Sequence, residues 1–140
     1  MQAFNTFIAN HLGLTYALAV TLVLLMIVEF LRLKRNNFRV DVKSAVNLIN
    51  RDNAVVIDLR PADTFKNGHI VDALSLNATD MQTTLQKMVK FKTRPVILVD
   101  GNGLESQKIA LRMIKEGYNV YVLSGGIRSW QQASLPLVKN

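Results

Sequence analysis

The sequence predicts an α/β protein: one transmembrane helix followed by a three-layer domain built on a parallel sheet. Two patterns in the 140 residues carry that prediction. The first is a seventeen-residue run, Leu12 to Val28, uncharged and broken only by Gly13, Thr15 and Thr21. The second is a pair of continuous β-branched runs, AVVIDL (54–59) and PVILV (95–99), set among segments whose apolar residues recur at helical spacing. A strand that is apolar without alternation is buried on both faces, the mark of a parallel sheet covered by helices. Strands alternating with helices close into three layers.

The apolar run is long enough to span a bilayer. At about 1.5 Å per residue it covers roughly 26 Å, and continuation to Leu33 carries it past about 30 Å, the thickness of the hydrocarbon core. A buried soluble helix of that length needs a large domain around it, and only residues 36–140 remain. A cleaved signal peptide opens with positive charge and ends in small residues. Here residues 1–31 hold no Lys or Arg and one acid, Glu29, whereas Arg32, Lys34, Arg35 and Arg39 follow the run. Residues 1–35 therefore read as a retained anchor with a basic juxtamembrane flank, and residues 36–140 as a cytoplasmic domain, because basic flanks stay on the cytoplasmic side.

Three further expectations attach to the anchor. Glu29 and Arg32 lie three residues apart, within reach of an ion pair at the interface. Arg32, Lys34, Arg35 and Arg39 would rest against anionic lipid head groups, worth about 1 kcal/mol per close charge. Ala9, Gly13, Ala17 and Thr21 recur every four residues, a small-residue face that lets helices approach closely in lipid. A membrane protein partner, or self-association through the helix, is expected there. The formal charge of +7 thus points to a membrane surface, and no aromatic-studded basic groove supports nucleic acid as a partner.

The remaining elements follow in order. Phe38 to Asp41 forms a first strand. Val42, Ala45, Val46 and Ile49 repeat at helical spacing, and Ala54 to Leu59 is a buried strand. Pro61 opens a short helix at a position where its missing N–H costs nothing, and Gly68 closes it. Ala73 to Leu76 makes a brief edge strand, and Thr79 to Lys90 a helix with Met81, Leu85 and Met88 on one stripe. Pro95 to Val99 is the second buried strand. The loop Asp100 to Glu105 leads into a helix from Ser106 to Glu116, ended by Gly117. Tyr118 to Leu123 is the last strand, and Gly125–Gly126 turns into a short helix around Trp130.

The chain contains no cysteine, which excludes a disulfide framework, a thiolate metal site and a cysteine nucleophile. The two histidines, His11 and His69, sit in unlike neighbourhoods, so no metal is expected, and no cofactor motif is complete. Asp100-Gly-Asn-Gly opens like a calcium loop, but its twelfth position is Leu111 where a bidentate Glu is required. As a dinucleotide turn, Gly101-x-Gly103 lacks the third glycine.

Several motifs agree in order and spacing with one family. Asp58-Leu-Arg60, Phe65, Gly68-His69-Ile70 and Ala73, then Leu123-Ser-Gly125-Gly126 with Trp130, resemble the rhodanese-like domain over roughly residues 39–138. With its single N-terminal span the chain is similar to the YibN-type membrane-anchored rhodanese-like proteins of bacteria. The resemblance implies a five-stranded parallel sheet flanked by helices, and the charge bias around the span predicts a bacterial inner-membrane protein with its N-terminus out. In active members the loop after the fourth strand begins with the nucleophilic cysteine and carries a basic residue near its far end. Aligned on Gly103 and Ser106, those positions are Asp100 and Glu105 here.

The loop Asp100, Gly101, Asn102, Gly103, Leu104 and Glu105 is therefore expected to be a degenerate active site. A carboxylate cannot carry a persulfide, and two acids bracketing the loop repel thiosulfate. We expect Asp100 to accept hydrogen bonds from loop N–H groups in the place of a thiolate. Ser106 reads as the N-cap of the following helix rather than a nucleophile, lacking a G-x-S-x-G elbow. His69 reads as a histidine bonded to neighbouring backbone rather than a general base. Asp58 and Arg60, two apart on one strand face, read as a pair supporting the loop. Phe65 and Trp130 read as core aromatics. The function expected is a catalytically inactive, membrane-anchored module that binds another protein at the cytoplasmic face of the membrane. The alternative is a sulfurtransferase, or a sulfur-carrier accessory working with a partner's cysteine.

Overall fold

The computed structural model describes residues 1, 6–7, 9–76 and 81–139; the side chains of residues 33–36, 81, 82 and 84, and so those of Lys34 and Arg35, lie outside what it describes. The chain divides into two compact units, Met1–Asn37 and Phe38–Asn140, a boundary two residues beyond the one read from the basic flank.

The first unit is dominated by α1 (Leu12–Asn36). Its segment Leu12–Arg32 is long and apolar enough to cross a membrane, and none of it is buried within the chain. Thr15 and Thr21 donate their hydroxyls to the carbonyls of His11 and Ala17 at 3.1 and 2.8 Å, so both polar groups are satisfied inside the helix, as hydrocarbon demands. Glu29 and Arg32 approach to 3.9 Å, both well exposed. Gly13, Ala17 and Thr21 share α1, but Ala9 precedes its N-cap residue His11, whose φ of −127° and ψ of 40° leave the helical region. The small-residue face is therefore three residues on one helix, not a continuous ladder of four.

The second unit runs β1 (Arg39–Val40), α2 (Val42–Asp52), β2 (Val55–Asp58), α3 (Ala62–Lys66), β3 (Leu74–Ser75), α4 (Met81–Met88), a 3₁₀ turn (Val89–Phe91), β4 (Val96–Val99), α5 (Leu104–Lys115), β5 (Val120–Leu123) and α6 (Gly126–Gln132). The five strands lie in the order β1-β5-β4-β2-β3, and every neighbouring pair is parallel. Arg39 belongs to β1 at one edge of this sheet, not to the juxtamembrane flank. Asp41, read as the end of the first strand, instead caps α2 by accepting the Ser44 N–H at 3.0 Å. Thr79 and Asp80, where α4 was expected to begin, lie outside the described residues.

Why the strands read as continuous apolar runs is visible in how their side chains divide. Val55, Ile57, Val96, Leu98, Val120 and Val122 face one way and pack with Leu85 and Met88 of α4 and Ile109, Ala110 and Met113 of α5. Val56, Ile97, Val99 and Leu123 face the other way, against Ala45 of α2, Phe65 of α3 and Ile127 and Trp130 of α6. Strand side chains alternate between faces, and both faces are covered, so residues 55–57, 96–99 and 120–123 are apolar or aromatic throughout.

Strand order also places the crevice. After β2 the chain turns through α3 to β3 on one side; after β4 it turns through α5 to β5 on the other. The carboxyl ends of the neighbouring strands β2 and β4 therefore feed diverging connections, the arrangement that opens a binding crevice in α/β sheets. Asp58 ends β2, and Asp100 follows β4.

Candidate functional site

Asp100 is the first residue beyond β4 and only 3% exposed. Its Oδ1 accepts the Gly103 N–H. Its Oδ2 accepts the N–H groups of Glu105 at 2.7 Å and Ser106 at 3.0 Å. Asn102 takes the donor between them, its Oδ1 accepting the Leu104 N–H at 3.1 Å. A helix leaves its first N–H groups without internal partners, and their partial positive charge favours an anion. Here two loop side chains take all four donors from Gly103 to Ser106, and the anion is the chain's own carboxylate.

This arrangement corrects the reading of Ser106. α5 begins at Leu104 with Gly103 at the N-cap, so Ser106 lies inside the first turn, as a donor to Asp100 rather than a cap. Its Oγ is fully buried and has no hydrogen-bond partner among the described residues. The capping oxygen comes from Asp100, three residues upstream of the N-cap, because the loop folds back over the helix end.

The loop is held from the opposite side by a contact that spacing along the chain does not reveal. The Ile127 N–H donates to the Asp100 carbonyl at 2.8 Å. A Cβ on Gly126 would lie 2.3 Å from that carbonyl oxygen and 2.7 Å from the Asn102 nitrogen, and Gly126 itself has φ of +60°. Backbone thus meets backbone where only glycine fits. The Gly125–Gly126 pair was visible as a turn; its partner across the crevice was not. Ser129 braces the same turn, donating its hydroxyl toward the Ser124 and Gly126 carbonyls at 2.6 and 2.8 Å.

Asp58 and Arg60 form a second buried cluster. β2 ends at Asp58, so Arg60 lies past the strand and curls back rather than sharing its face. Its Nε donates to both Asp58 carboxylate oxygens at 2.9 and 3.1 Å, and a terminal nitrogen reaches Oδ2 at 2.6 Å. The guanidinium also donates to the Gly68 carbonyl at 2.8 Å. Among the described residues the hydrogen bonds of this pair tie down the Gly68 turn and do not reach the loop 100–105. His69 completes that turn. Its Nδ1 carries the proton donated to the Phe65 carbonyl at 2.9 Å, since that oxygen only accepts. Its ring stacks on Phe65 at 3.8 Å, and its backbone exchanges two hydrogen bonds with Val138. These contacts make His69 a backbone-bonded turn residue.

Gly101, Asn102, Glu105 and Leu104, the last 64% exposed, form the outward surface of the loop. The site can hold an anion, but the donors converge on a group already present, and its outer turn carries a second acid. Among the described residues no cluster of three or more His, Cys, Asp or Glu could hold a metal.

Residues 41–133 match the rhodanese-like domain family. The chain is 34% identical to the protein YibN of Escherichia coli (strain K12) over 141 aligned residues, covering 99% of each chain. It is 32% identical to the thiosulfate sulfurtransferase GlpE of Coxiella burnetii over 88 residues, 62% of this chain and 80% of that protein. Among solved structures, a rhodanese-related protein from Thermoplasma volcanium superposes with a TM-score of 0.64 at 18% identity, covering 73% of this chain and 98% of the other. A thiosulfate sulfurtransferase from Pseudomonas aeruginosa gives the same TM-score at 18% identity, over 19% of its longer chain. These two likenesses speak to the fold.

Proposed function

The chain belongs to the rhodanese-like domain family, and from that premise we propose that it is a membrane-anchored, non-catalytic module that binds other proteins at the cytoplasmic face of a bacterial inner membrane. The observation that carries this reading is the seat of the Asp100 carboxylate. Where active members of the family place a nucleophilic cysteine, this chain places a group that cannot form a persulfide, and it contains no cysteine elsewhere. Sulfur transfer, the activity in the name of the Coxiella relative, requires a sulfur acceptor that would have to come from a partner's cysteine. The basic residues after the apolar helix support an N-out orientation. A tether raises the effective concentration of the domain for other membrane components, so weak contacts suffice. The helix face Gly13, Ala17, Thr21 and the loop 100–105 are the contact surfaces this reading names.

The deciding experiment is a thiosulfate:cyanide sulfurtransferase assay on the full chain in detergent. The expected result is no thiocyanate above buffer. Turnover that disappears on changing Asp100 or Ser106 would overturn the non-catalytic reading. Co-purification from solubilised membranes, with the native span against a plain leucine span, then assigns recognition. Partners lost with the native span place it in the helix; partners retained place it in the second unit.

A further inference from the structure

We propose that the second unit carries a groove for an extended acidic peptide along the outer edge of β3, separated from the Asp100 loop by β2. β3 is the end strand of the sheet and two residues long. Among the described residues it pairs with Ile57 and Asp58 alone, so the first half of β2 runs past its start. A cleft of 430 Å³ opens there, between the Val71–Leu74 approach to β3 and the segment holding Lys90, Phe91 and Arg94. A second cleft, also 430 Å³, adjoins it along β3 and shares Leu74, Lys90 and Phe91. The Leu76 N–H donates to the Asp58 carbonyl at 2.9 Å. By the alternation of a parallel strand, Ser75 then turns its N–H and C=O away from β2, toward an added strand.

Charge selects the occupant. From Lys87 to Arg94 the chain carries four basic residues and no acid. Among the described residues, Lys87, Lys90 and Arg94 border the two clefts, and Asp72 is the one acid in their lining. Arg94 is pre-oriented by two bonds to the Asn53 carbonyl at 2.9 and 2.6 Å. Lys90 sits over the Phe91 ring, 4.9 Å from its centre. Cations interleaved with Val71, Leu74 and Phe91 complement a strand that alternates acidic and apolar residues. In strand addition the main chain supplies affinity, and alternate side chains supply specificity. Lysines beside a short edge also deter pairing with a second copy, which leaves an acidic chain as the partner they admit. None of this depends on whether the domain performs sulfur chemistry.

The test is fluorescence anisotropy with the full chain in a non-ionic detergent. The probe is a fluorescein-labelled octapeptide of alternating glutamate and valine. We expect saturable binding that weakens about tenfold, equivalent to about 1.4 kcal/mol, in a Lys87→Glu/Lys90→Glu chain with an unchanged unfolding midpoint. A similar loss is expected when the peptide is N-methylated on alternate residues in either register. Equal binding of the parent and both methylated peptides would refute strand addition. Binding indifferent to the two lysine substitutions would refute the groove. Binding to phosphatidylserine-containing vesicles, lost with those substitutions while the peptide does not bind, would replace the proposal with a lipid surface.

Discussion

Replacing Asp100 by alanine removes the acceptor for three N–H groups at once, those of Gly103, Glu105 and Ser106. Glu105 is exposed, so water can take its donor; Gly103 and Ser106 are buried and their donors are left bare. A buried donor stripped of its partner costs about 1–3 kcal/mol. Two such donors, partly offset by no longer burying a carboxylate, place the loss for Asp100→Ala near 3 kcal/mol. Asp100→Asn keeps one acceptor oxygen but turns an NH₂ toward donors, and should lose about half as much. For a unit of about 100 residues, 3 kcal/mol corresponds to a fall in Tm of roughly 12–24 °C. The assay follows Trp130, the single tryptophan, buried in the second unit. Its fluorescence reports that unit without the signal of α1. If both variants unfold within about 0.5 kcal/mol of the parent, the range of an ordinary surface change, the carboxylate is not what satisfies the loop and the argument fails.

Ser106→Ala should leave stability unchanged or raise it by about 0.5–1 kcal/mol, since it removes a buried hydroxyl that has no partner among the described residues and inserts the best helix former; a loss of about 1 kcal/mol in denaturant unfolding would instead restore the N-cap role. Gly126→Ala should cost more than about 3 kcal/mol, because its Cβ meets backbone at 2.3 Å and neither backbone nor φ can yield cheaply; wild-type unfolding of that variant would show that the loop does not pack on the β5–α6 turn. Hydrogen bonds from Ser44 hold the Asp41 carboxyl below its ordinary 3.8. The stability it contributes is therefore complete above that value and lost as pH falls through the lowered one. Asp41→Asn should flatten this acid limb of the Tm–pH profile while retaining the cap, and an unchanged limb would assign the acid sensitivity to other groups.

Features that rest on local spacing were legible in the sequence. The span of α1 follows from consecutive apolar residues, and the strands of the sheet interior from β-branched runs, because each is decided within one turn or a few residues. The Glu29–Arg32 pair is of the same kind. The parallel five-stranded architecture came through motifs shared with the family. Boundaries were less secure wherever a side chain acted across several residues. Ser106 satisfied every local rule for an N-cap, yet α5 starts two residues earlier. Asp100 supplies the capping oxygen from outside the helix, so the local preference of a serine no longer decides where the helix begins.

The sequence by itself determined that no thiol chemistry can originate in this chain, that an acid stands at the base of the loop, and that an apolar helix precedes an α/β domain. These are matters of which atoms are present and how they repeat. Only the tertiary structure decided what each acid does. Asp100 is bound by its own loop amides, whereas Asp58 is engaged by Arg60, which in turn reaches Gly68. It also decided that Gly126 shapes the loop 26 residues before it. The reason is geometric: a parallel sheet brings together strand ends that lie far apart along the chain. Which backbone groups meet there depends on strand order and register, and no pattern of neighbouring residues encodes either directly.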